Sequence, residues 1–500
     1  MKVVQEKRFL GLIWDRRLNW CAHLKDLRIR ASRANNILKV IIKNHRKIGC
    51  TQLLRIYRSI TRAKMDYGCP IYGTASKTAL KILNTAHHQA LRLCTGAFRT
   101  SPVESLYIEA NEPSLQDRRD MLSLQYYTRV CRLPDSTVMK CLRNSTLDAR
   151  YTNSKGKPKS LSYKIRNLLQ SLEINLPQIE PLYFCSVGPW EIPEVHFCNA
   201  LSSHKKEETS AVEYQTLFHA HRHQTDFEIY TDGSKGESGV AAAAVLYDGN
   251  QGTEYGVKMH DMASVFSAEL QAIELGLKNI PRHLHDRSYT FYSDSLSSIQ
   301  AIKGAKLEDK RIGTIYELLE QLGKQKISIY FCWIPGHAGI KGNEAADTYA
   351  KNTCKRPVQD KREVPSSDCK LYIKKAITER WQSRWENLTD NKKLKEIQPE
   401  VGKKIMALSR KEDLKLTRLR IGHTHLTHSF ILTGEDMPVC AACNTPITVK
   451  HILLDCGGNI EERMSYFDHR QVTLKTLLSS NEYIPKVLAF LNSVDLYKEI

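Results

Sequence analysis

The sequence predicts a multidomain protein with an α-helical N-terminal region, a central α/β domain with a five-stranded mixed sheet and flanking helices, and a mainly α-helical C-terminal region. Its 500 residues suffice for two to four domains that each bury a core. Apolar residues recur at helical spacing in both outer parts, whereas the central part alternates short β-rich runs with helical segments. We expect boundaries at 1–130, 131–222, 223–354 and 355–500.

Helical patterns mark the N-terminal region. Their apolar residues are Leu53, Ile56, Tyr57 and Ile60 in one pattern and Leu80, Leu83, Ala86, Ala90 and Leu93 in the next. Gly68 and Pro70 interrupt them, so we expect several helices rather than one.

Residues 131–222 are predicted to be a partly irregular connector, because prolines recur through them, among them Pro134, Pro177, Pro181, Pro189 and Pro193. One helix is expected near 160–172, and we assign the segment no chemistry. His219, His221 and His223 alternate at its end, where a metal cluster and a solvated linker are both conceivable. We favour the linker.

The central region begins with an antiparallel meander. Phe227 to Thr231 is a β-rich run that places Asp232 at a strand end, and Gly239 to Tyr247 and Thr253 to Met259 follow it, joined by a hairpin turn. A helix from Ser264 to Lys278 comes next, with the serine as N-cap.

Further elements follow in the order strand, helix, helix, strand, helix. Tyr289 to Ser293 is a strand that ends at Asp294, and Ile327 to Ile334 is an apolar strand expected to be buried on both faces. Asn343 is predicted to cap the last helix, which carries Asp347. This order is typical of a mixed sheet covered by helices on both faces.

Four acidic residues stand at the ends or first turns of these elements: Asp232, Glu269, Asp294 and Asp347. Of the two helical glutamates, Glu269 is preferred over Glu274, which lies about 140° around the helix. Carboxylates gathered without a counter-ion repel one another, so their convergence predicts a site for divalent cations. Two such cations can cleave a phosphodiester without a protein nucleophile.

Residues 225–352 resemble the type 1 ribonuclease H family at each of these motifs, including Trp333 to Asp347 with its Pro-Gly-His turn. The resemblance implies cleavage of the RNA strand of RNA/DNA hybrids. It also implies that the four carboxylates bind Mg²⁺, with Mn²⁺ able to substitute, and that His337 assists proton transfer or product release.

The charge balance indicates a polyanionic partner. Lysine and arginine total 74 against 54 acidic residues, a net charge of +20 with pI near 9.3. Residues 1–60 alone carry a net +12. This basic segment is either a phosphate-contacting surface, which we favour, or a solvated helix face.

Several N-terminal strings resemble the thumb of non-LTR retrotransposon reverse transcriptases, which grips the template-primer. They are Phe9 to Asp15, Leu18 to Trp20, Met65 to Gly68 and Leu91 to Arg99. No Asp-Asp dipeptide of the polymerase type occurs, so we expect no DNA synthesis by this chain. The whole resembles the C-terminal part of a retrotransposon polyprotein.

The C-terminal region carries two features of interest. Trp381 and Trp385 share a helix face, as core anchors or, less expectedly, as base-stacking residues. Cys440, Cys443, His451 and Cys456 form C-x2-C-x7-H-x4-C, which suits tetrahedral Zn²⁺ and resembles a zinc knuckle of altered spacing. A reduced, metal-free hairpin is the alternative.

Other classes are disfavoured. No apolar run approaches the ~20 residues of a membrane span, and 14 scattered cysteines do not make a disulfide scaffold. We expect an intracellular protein, nuclear because such elements integrate there. The leading hypothesis is a ribonuclease acting on RNA/DNA hybrids, and the alternative is an inactive nucleic-acid-binding remnant.

Overall fold

A computed structural model describes residues 4–45, 47–146, 148–152, 158–188, 190–198, 200–203, 209–281, 283–357, 363–389, 392–402, 408–468 and 471–500. The chain forms two compact units. Unit 1 comprises Met1–Tyr126, Cys141–Ile174 and Ile373–Ile500, and unit 2 comprises Tyr127–Lys140 and Asn175–Tyr372.

The strands of the described residues fall into a two-stranded hairpin in unit 1 and a six-stranded sheet in unit 2. In chain order they are β1 (Glu6–Phe9), β2 (Leu12–Asp15), β3 (His196–Cys198), β4 (Phe227–Gly236), β5 (Gly239–Asp248), β6 (Gln251–Met259), β7 (Ser288–Ser293) and β8 (Ser328–Trp333).

The helices of the first half are α1 (Cys21–Asn44), α2 (Cys50–Ile56), α3 (Ala63–Asp66), α4 (Cys69–Tyr72), α5 (Lys77–Leu80), α6 (Asn84–Thr95), α7 (Val103–Glu109), α8 (Leu115–Cys131), α9 (Thr137–Arg143), α10 (Asp148–Thr152), α11 (Leu161–Ser171) and α12 (Ala211–His221). Those of the second half are α13 (Val265–Lys278), α14 (Leu296–Lys303), α15 (Lys310–Lys324), α16 (Lys341–Cys354), α17 (Ser366–Asn387), α18 (Lys392–Ile397), α19 (Arg410–Ile421), α20 (His425–His428), α21 (Phe430–Thr433), α22 (Ile460–Tyr466), α23 (Leu474–Ser479) and α24 (Tyr483–Ser493). No helix within these described residues is long and apolar enough to cross a membrane.

The mixed sheet with flanking helices is confirmed, but it has six strands rather than five. Its order is β3-β8-β7-β4-β5-β6, with β3, β8, β7 and β4 parallel and the β4-β5-β6 meander antiparallel. The additional strand β3 lies in the proline-rich connector. It has only three residues, too few for an alternating pattern, and it forms because β8 offers an edge for pairing.

Side chains alternate between the two faces of this sheet, and each face has its own core. Ile229, Phe291 and Phe331 are register neighbours that pack with residues of α13 and α15. Tyr230, Tyr292 and Cys332, one position on, pack on the other face with residues of α12 and α16. The sheet is therefore buried on both faces, as expected for its parallel part.

Two local expectations are wrong. Strand β4 continues through Asp232 to Gly236, because the Ala-rich strand β5 pairs with it along the whole length. Helix α16 begins at Lys341, so Asn343 lies inside it and does not cap it. Gly342 in its first turn lets the helix pack closely on β4, because a Cβ there would lie 2.4 Å from the Tyr230 ring.

Unit 1 is assembled from both ends of the chain. Trp381 and Trp385 of α17 share one apolar core with residues of α1, α2 and α6. Trp385 is 1% exposed, and its Nε1 donates to the carbonyl of Gln398 at 3.1 Å. The interpretation of both indoles as core anchors is confirmed, and burial excludes base stacking by them.

Charged side chains reinforce this assembly. Asp117 of α8 is 1% exposed and accepts hydrogen bonds from Arg380 at 2.8 Å and Arg384 at 2.6 Å. Arg420 of α19 pairs with Glu109 at 2.8 Å. These pairs each join a positive and a negative side chain, so they stabilise unit 1 without reducing the net positive charge of the chain.

Candidate active site and zinc site

Asp232 and Asp294 occupy equivalent places on neighbouring parallel strands. The ladder between β4 and β7 ends with the pair Thr231 and Ser293, and each aspartate is the next residue. Asp232 is nearly buried and Asp294 is half-buried. The sheet register thus fixes the two carboxylates side by side.

Glu269 reaches the same place from α13, whose N-cap Ser264 accepts a hydrogen bond from the N–H of Ser267. The helix packs unusually close to β4 at Gly233, where a Cβ would lie 2.5 Å from the Glu269 nitrogen. Only glycine permits this approach. Glu274 instead pairs with Lys278 on its own helix.

The carboxylate oxygens of Asp232, Glu269 and Asp294 lie within 4.8 Å of one another. Asp347 of α16 is outside this group. Its carboxylate accepts a hydrogen bond from Lys351 at 2.6 Å, although its charge still acts on Asp232. The structure therefore brings three of the four predicted carboxylates together and places the fourth beside them with a lysine partner.

Burial and mutual repulsion disturb the ionisation of this cluster. Burial, followed by the charges of Asp294 and Asp347, raises the pKa of the Asp232 carboxyl to about 7. Burial, followed by the charges of Asp232 and Asp294, raises the pKa of Glu269 to about 9. Both shifts describe the metal-free protein, in which no cation offsets the negative charge.

A groove of about 510 Å³ opens beside the carboxylates. Its walls include Phe266, Trp333 and His337, together with Glu269 and Asp294. The Trp333 indole donates to the backbone carbonyl of Asp294 at 3.0 Å, which braces the end of β7. His337 is exposed, with φ of 57°, so its imidazole is accessible from the groove.

The donor set fits a divalent cation. Carboxylate oxygens are the ligands that Mg²⁺ and Mn²⁺ prefer, and three of them converge here. Glu269 Oε2 is buried and has no hydrogen-bond partner within the described part of the chain. A buried oxygen without a donor is costly, and a bound cation would satisfy it.

The cysteine and histidine residues of the C-terminal motif also converge. The ligand atoms of Cys440, Cys443, His451 and Cys456 lie within 4.8 Å of one another, with Sγ–Sγ distances from Cys456 of 3.8 Å to Cys440 and 4.0 Å to Cys443. Two thiolates on one tetrahedral zinc, at bonds of about 2.3 Å, are about 3.8 Å apart. His451 Nε2 is buried without a hydrogen-bond partner in the described residues.

The surroundings shift two of the three thiols in opposite directions, because burial raises the pKa of the Cys456 thiol whereas hydrogen bonding lowers that of Cys440. The neighbouring His451 imidazole and the backbone N–H of Cys443 lower the pKa of the Cys440 thiol to about 6. The N–H of Gly457 donates to Cys443 Sγ at 3.3 Å. This Cys3His cluster therefore has the spacing that tetrahedral zinc requires, and a bound zinc ion would favour the thiolate forms that it binds.

Residues 224–355 match the RNase H family. This segment is an RNase H domain. Its limits enclose β4 to α16, and with them all four predicted carboxylates and His337. An RNase H-type nuclease function is therefore supported for this part of the chain.

Relatives of the chain come from retroelements. It is 27% identical over 127 residues to the probable RNA-directed DNA polymerase from transposon X-element and 27% identical over 141 residues to the RNA-directed DNA polymerase from mobile element jockey, both of Drosophila melanogaster. These matches cover 25% and 27% of this chain but only 14% and 15% of the relatives. A Pol polyprotein of equine infectious anemia virus (strain Wyoming) is 31% identical over 125 residues, 25% of this chain and 10% of the relative. The chain fits the C-terminal part of a retrotransposon polyprotein.

Sequence patterns did not reveal three residues that shape this RNase H domain. Lys351 follows Asp347 by one helical turn, a spacing that predicts an ion pair but not its place in the site. Gly233 and Gly336 carry no local signal beyond that of turn-forming glycines. A Cβ at Gly336 would lie 2.5 Å from Asp294 Oδ2, so this glycine makes room for a carboxylate.

Proposed function

We propose that this chain is a type 1 ribonuclease H that hydrolyses the RNA strand of RNA/DNA hybrids with two Mg²⁺ ions. The observation that carries the proposal is the convergence of Asp232, Glu269 and Asp294 at one end of the parallel ladder, inside an RNase H domain. Asp347 is the fourth member in this proposal, with Lys351 yielding to the cation.

The carboxylates and the histidine of the site would have different roles in this reaction. Asp232, Glu269, Asp294 and Asp347 would hold the metal ions, which supply an activated water and stabilise the leaving oxygen. The exposed imidazole of His337 would accept or deliver a proton at the mouth of the groove. No serine or cysteine nucleophile is required.

Substrate recognition would depend on shape. Hybrids are distinguished from DNA duplexes through their A-form-like geometry and the 2′-hydroxyls of the RNA strand. The exposed side chains of Val265 and Phe266 line the groove next to Glu269, where they can contact sugars of the bound strand. The basic, thumb-like N-terminal region would add phosphate contacts that weaken with salt.

Cleavage of a labelled RNA/DNA hybrid tests the proposal. The full chain in Mg²⁺ is expected to cut the hybrid and to leave single-stranded RNA intact, and Asp294→Asn is expected to abolish cutting. Absence of cutting in both Mg²⁺ and Mn²⁺ by a folded chain would overturn it.

The ion pair between Asp347 and Lys351 favours a second candidate, an inactive nucleic-acid-binding remnant. In that case the lysine neutralises the carboxylate in place of a metal. Salt-sensitive binding to hybrid, without metal-dependent cleavage, would support the remnant over the nuclease.

We further propose that Cys440, Cys443, His451 and Cys456 bind one structural zinc, in place of the metal-free hairpin. The Sγ–Sγ distances and the unpartnered His451 nitrogen support this assignment. Cys443→Ser is expected to remove one equivalent of zinc per chain, as measured by mass spectrometry of the metal. Unchanged zinc content in the variant would refute it.

A further inference from the structure

Unit 2 contains a second group of metal-ligating side chains, distinct from the carboxylate cluster. Cys198 lies on β3, Cys332 lies on β8, and His223 follows the end of α12. One ligand atom from each lies within 4.8 Å of the other two. None of these residues belongs to the carboxylate cluster or to the Cys3His cluster.

The sheet register creates this arrangement. Strand β3 pairs in parallel with β8, and Cys198 is the direct partner of Cys332. Directly paired residues of adjacent strands point to the same face, so both thiols face the layer that α12 covers. The sequence separates these cysteines by more than a hundred positions, so no spacing motif could reveal them.

Aromatic packing holds the histidine in place. The His223 ring stacks on Tyr330 at a centroid distance of 5.2 Å and an interplanar angle of 28°. His196 stacks on the same tyrosine at 4.9 Å and 22°. The His223 imidazole is therefore oriented by a tyrosine on the same strand as Cys332.

We propose that Cys198, His223 and Cys332 bind one zinc ion, with a water molecule as the fourth ligand. Two thiols and an imidazole form a borderline-soft donor set that suits Zn²⁺ and not the hard cations expected at the carboxylates. Thiolates on one zinc are about 3.8 Å apart, and the ligand atoms of this group lie within 4.8 Å of one another. Cys198 and His223 are half-buried, so the ion and its water have access from solvent.

Such an ion would fasten the edge of the sheet. Strand β3 has only three residues and one neighbouring strand, so its backbone pairing alone stabilises it weakly. Strand β8 continues directly into Trp333 and the loop that carries His337. The zinc would thus tie the connector to the strand from which the groove wall emerges.

The test measures zinc per chain in a Cys443→Ser background, in which the C-terminal cluster is disabled. We expect about one equivalent in this background, and less than about 0.2 after the further change Cys198→Ser or His223→Ala. Cys185→Ser is the matched control, because Cys185 is another half-buried thiol of unit 2 that lies outside the group. This control is expected to retain its zinc.

Stability provides a second readout that does not depend on activity. Chelation of zinc is expected to lower the melting temperature of the Cys443→Ser chain and to leave that of Cys443→Ser/Cys198→Ser unchanged. A zinc content that is near zero in the background, or that survives Cys198→Ser, would overturn the proposal. Recovery of a Cys198–Cys332 disulfide from freshly purified background protein would also overturn it.

Discussion

Asp232 and Asp294 lie side by side because each is the first residue beyond the last ladder pair of β4 and β7, Thr231 with Ser293. Neither strand could shift by one residue without moving one aspartate to the opposite face. The hydrophobic rows that fix the register, Ile229 with Phe291 and Tyr230 with Tyr292, therefore also fix the distance between the two carboxylates.

Removing one carboxylate should stabilise the metal-free protein at high pH. The native pKa values of Asp232 and Glu269 are raised to about 7 and about 9, so the native state binds more protons than the unfolded state above about pH 4, and stability falls as pH rises. In a metal chelator at pH 8, Asp294→Asn should melt roughly 3 to 8 °C above wild type by calorimetry, with a smaller difference at pH 5. Asp286→Asn, at an exposed position paired with Lys326, serves as the control. Equal differences at the two pH values would contradict this explanation.

Metal binding should compete with protons. Because Asp232 and Glu269 must ionise to bind a cation, Mg²⁺ affinity is expected to rise from pH 6 to pH 8.5, with release of protons into the buffer. Titration calorimetry in two buffers of different ionisation enthalpy measures this release. Binding with no proton release at pH 6.5 would show that the two carboxyls do not hold the metal.

Lys351 should act as a competitor of the metal for Asp347. Lys351→Met is expected to lower the Mg²⁺ concentration for half-maximal cleavage by roughly two- to five-fold, the range set by an exposed ion pair. Lys324→Met, which removes an equivalent one-turn pair with Glu320, provides the matched control. A higher Mg²⁺ requirement in Lys351→Met would instead give the lysine a supporting role.

A glycine at position 336 should be required for the Asp294 carboxylate to keep its place in the site. A Cβ at this position would lie 2.5 Å from Asp294 Oδ2, so Gly336→Ala is expected to displace that side chain and reduce cleavage at least about ten-fold. Gly323→Ala meets no atom within 4 Å and should stabilise α15 by up to about 1 kcal/mol without affecting cleavage. Full activity of Gly336→Ala would show that the loop adjusts freely.

Trp385 should be essential for the stability of unit 1. Its indole is 1% exposed, so Trp385→Ala is expected to cost about 3–5 kcal/mol of unfolding free energy in a denaturant titration. Trp190→Ala provides the comparison, because that indole is 84% exposed and should change stability by less than about 0.5 kcal/mol. If Trp385→Ala instead weakened nucleic-acid binding and left stability unchanged, Trp385 would be a base-stacking residue and not a core anchor.

Local signals made much of the RNase H domain predictable. Each of these signals, such as a short β-rich run, helical spacing or the serine cap of α13, involves residues that are close together in the sequence. The order of strands and helices can therefore be predicted from the sequence. Asp232, Glu269 and Asp294 could be proposed as a cluster because the sequence predicts each near an element end, although Asp232 lies inside β4 in the structure. The length of β4 could not be predicted in the same way, because its partner β5 determines where it stops.

Long-range pairing explains what the sequence could not reveal. Strand β3 exists only through its contact with β8, and the group of Cys198, His223 and Cys332 depends on that contact. His223 alternates with His219 and His221 in the sequence, whereas the metal-ligating side chains next to it in space are Cys198 and Cys332. The joining of α17 to the N-terminal core likewise depends on segments hundreds of residues apart.

The discontinuous core of unit 1 also has a consequence for biosynthesis. Met1–Tyr126 emerges from the ribosome long before Trp381 and Trp385 are synthesised. The roughly 250 residues that separate Tyr126 from Trp381 take on the order of tens of seconds to translate. During that interval the nascent N-terminal segment exposes the apolar surface that the two tryptophans later cover. This core can therefore be completed only after the segment that carries the two tryptophans has been synthesised.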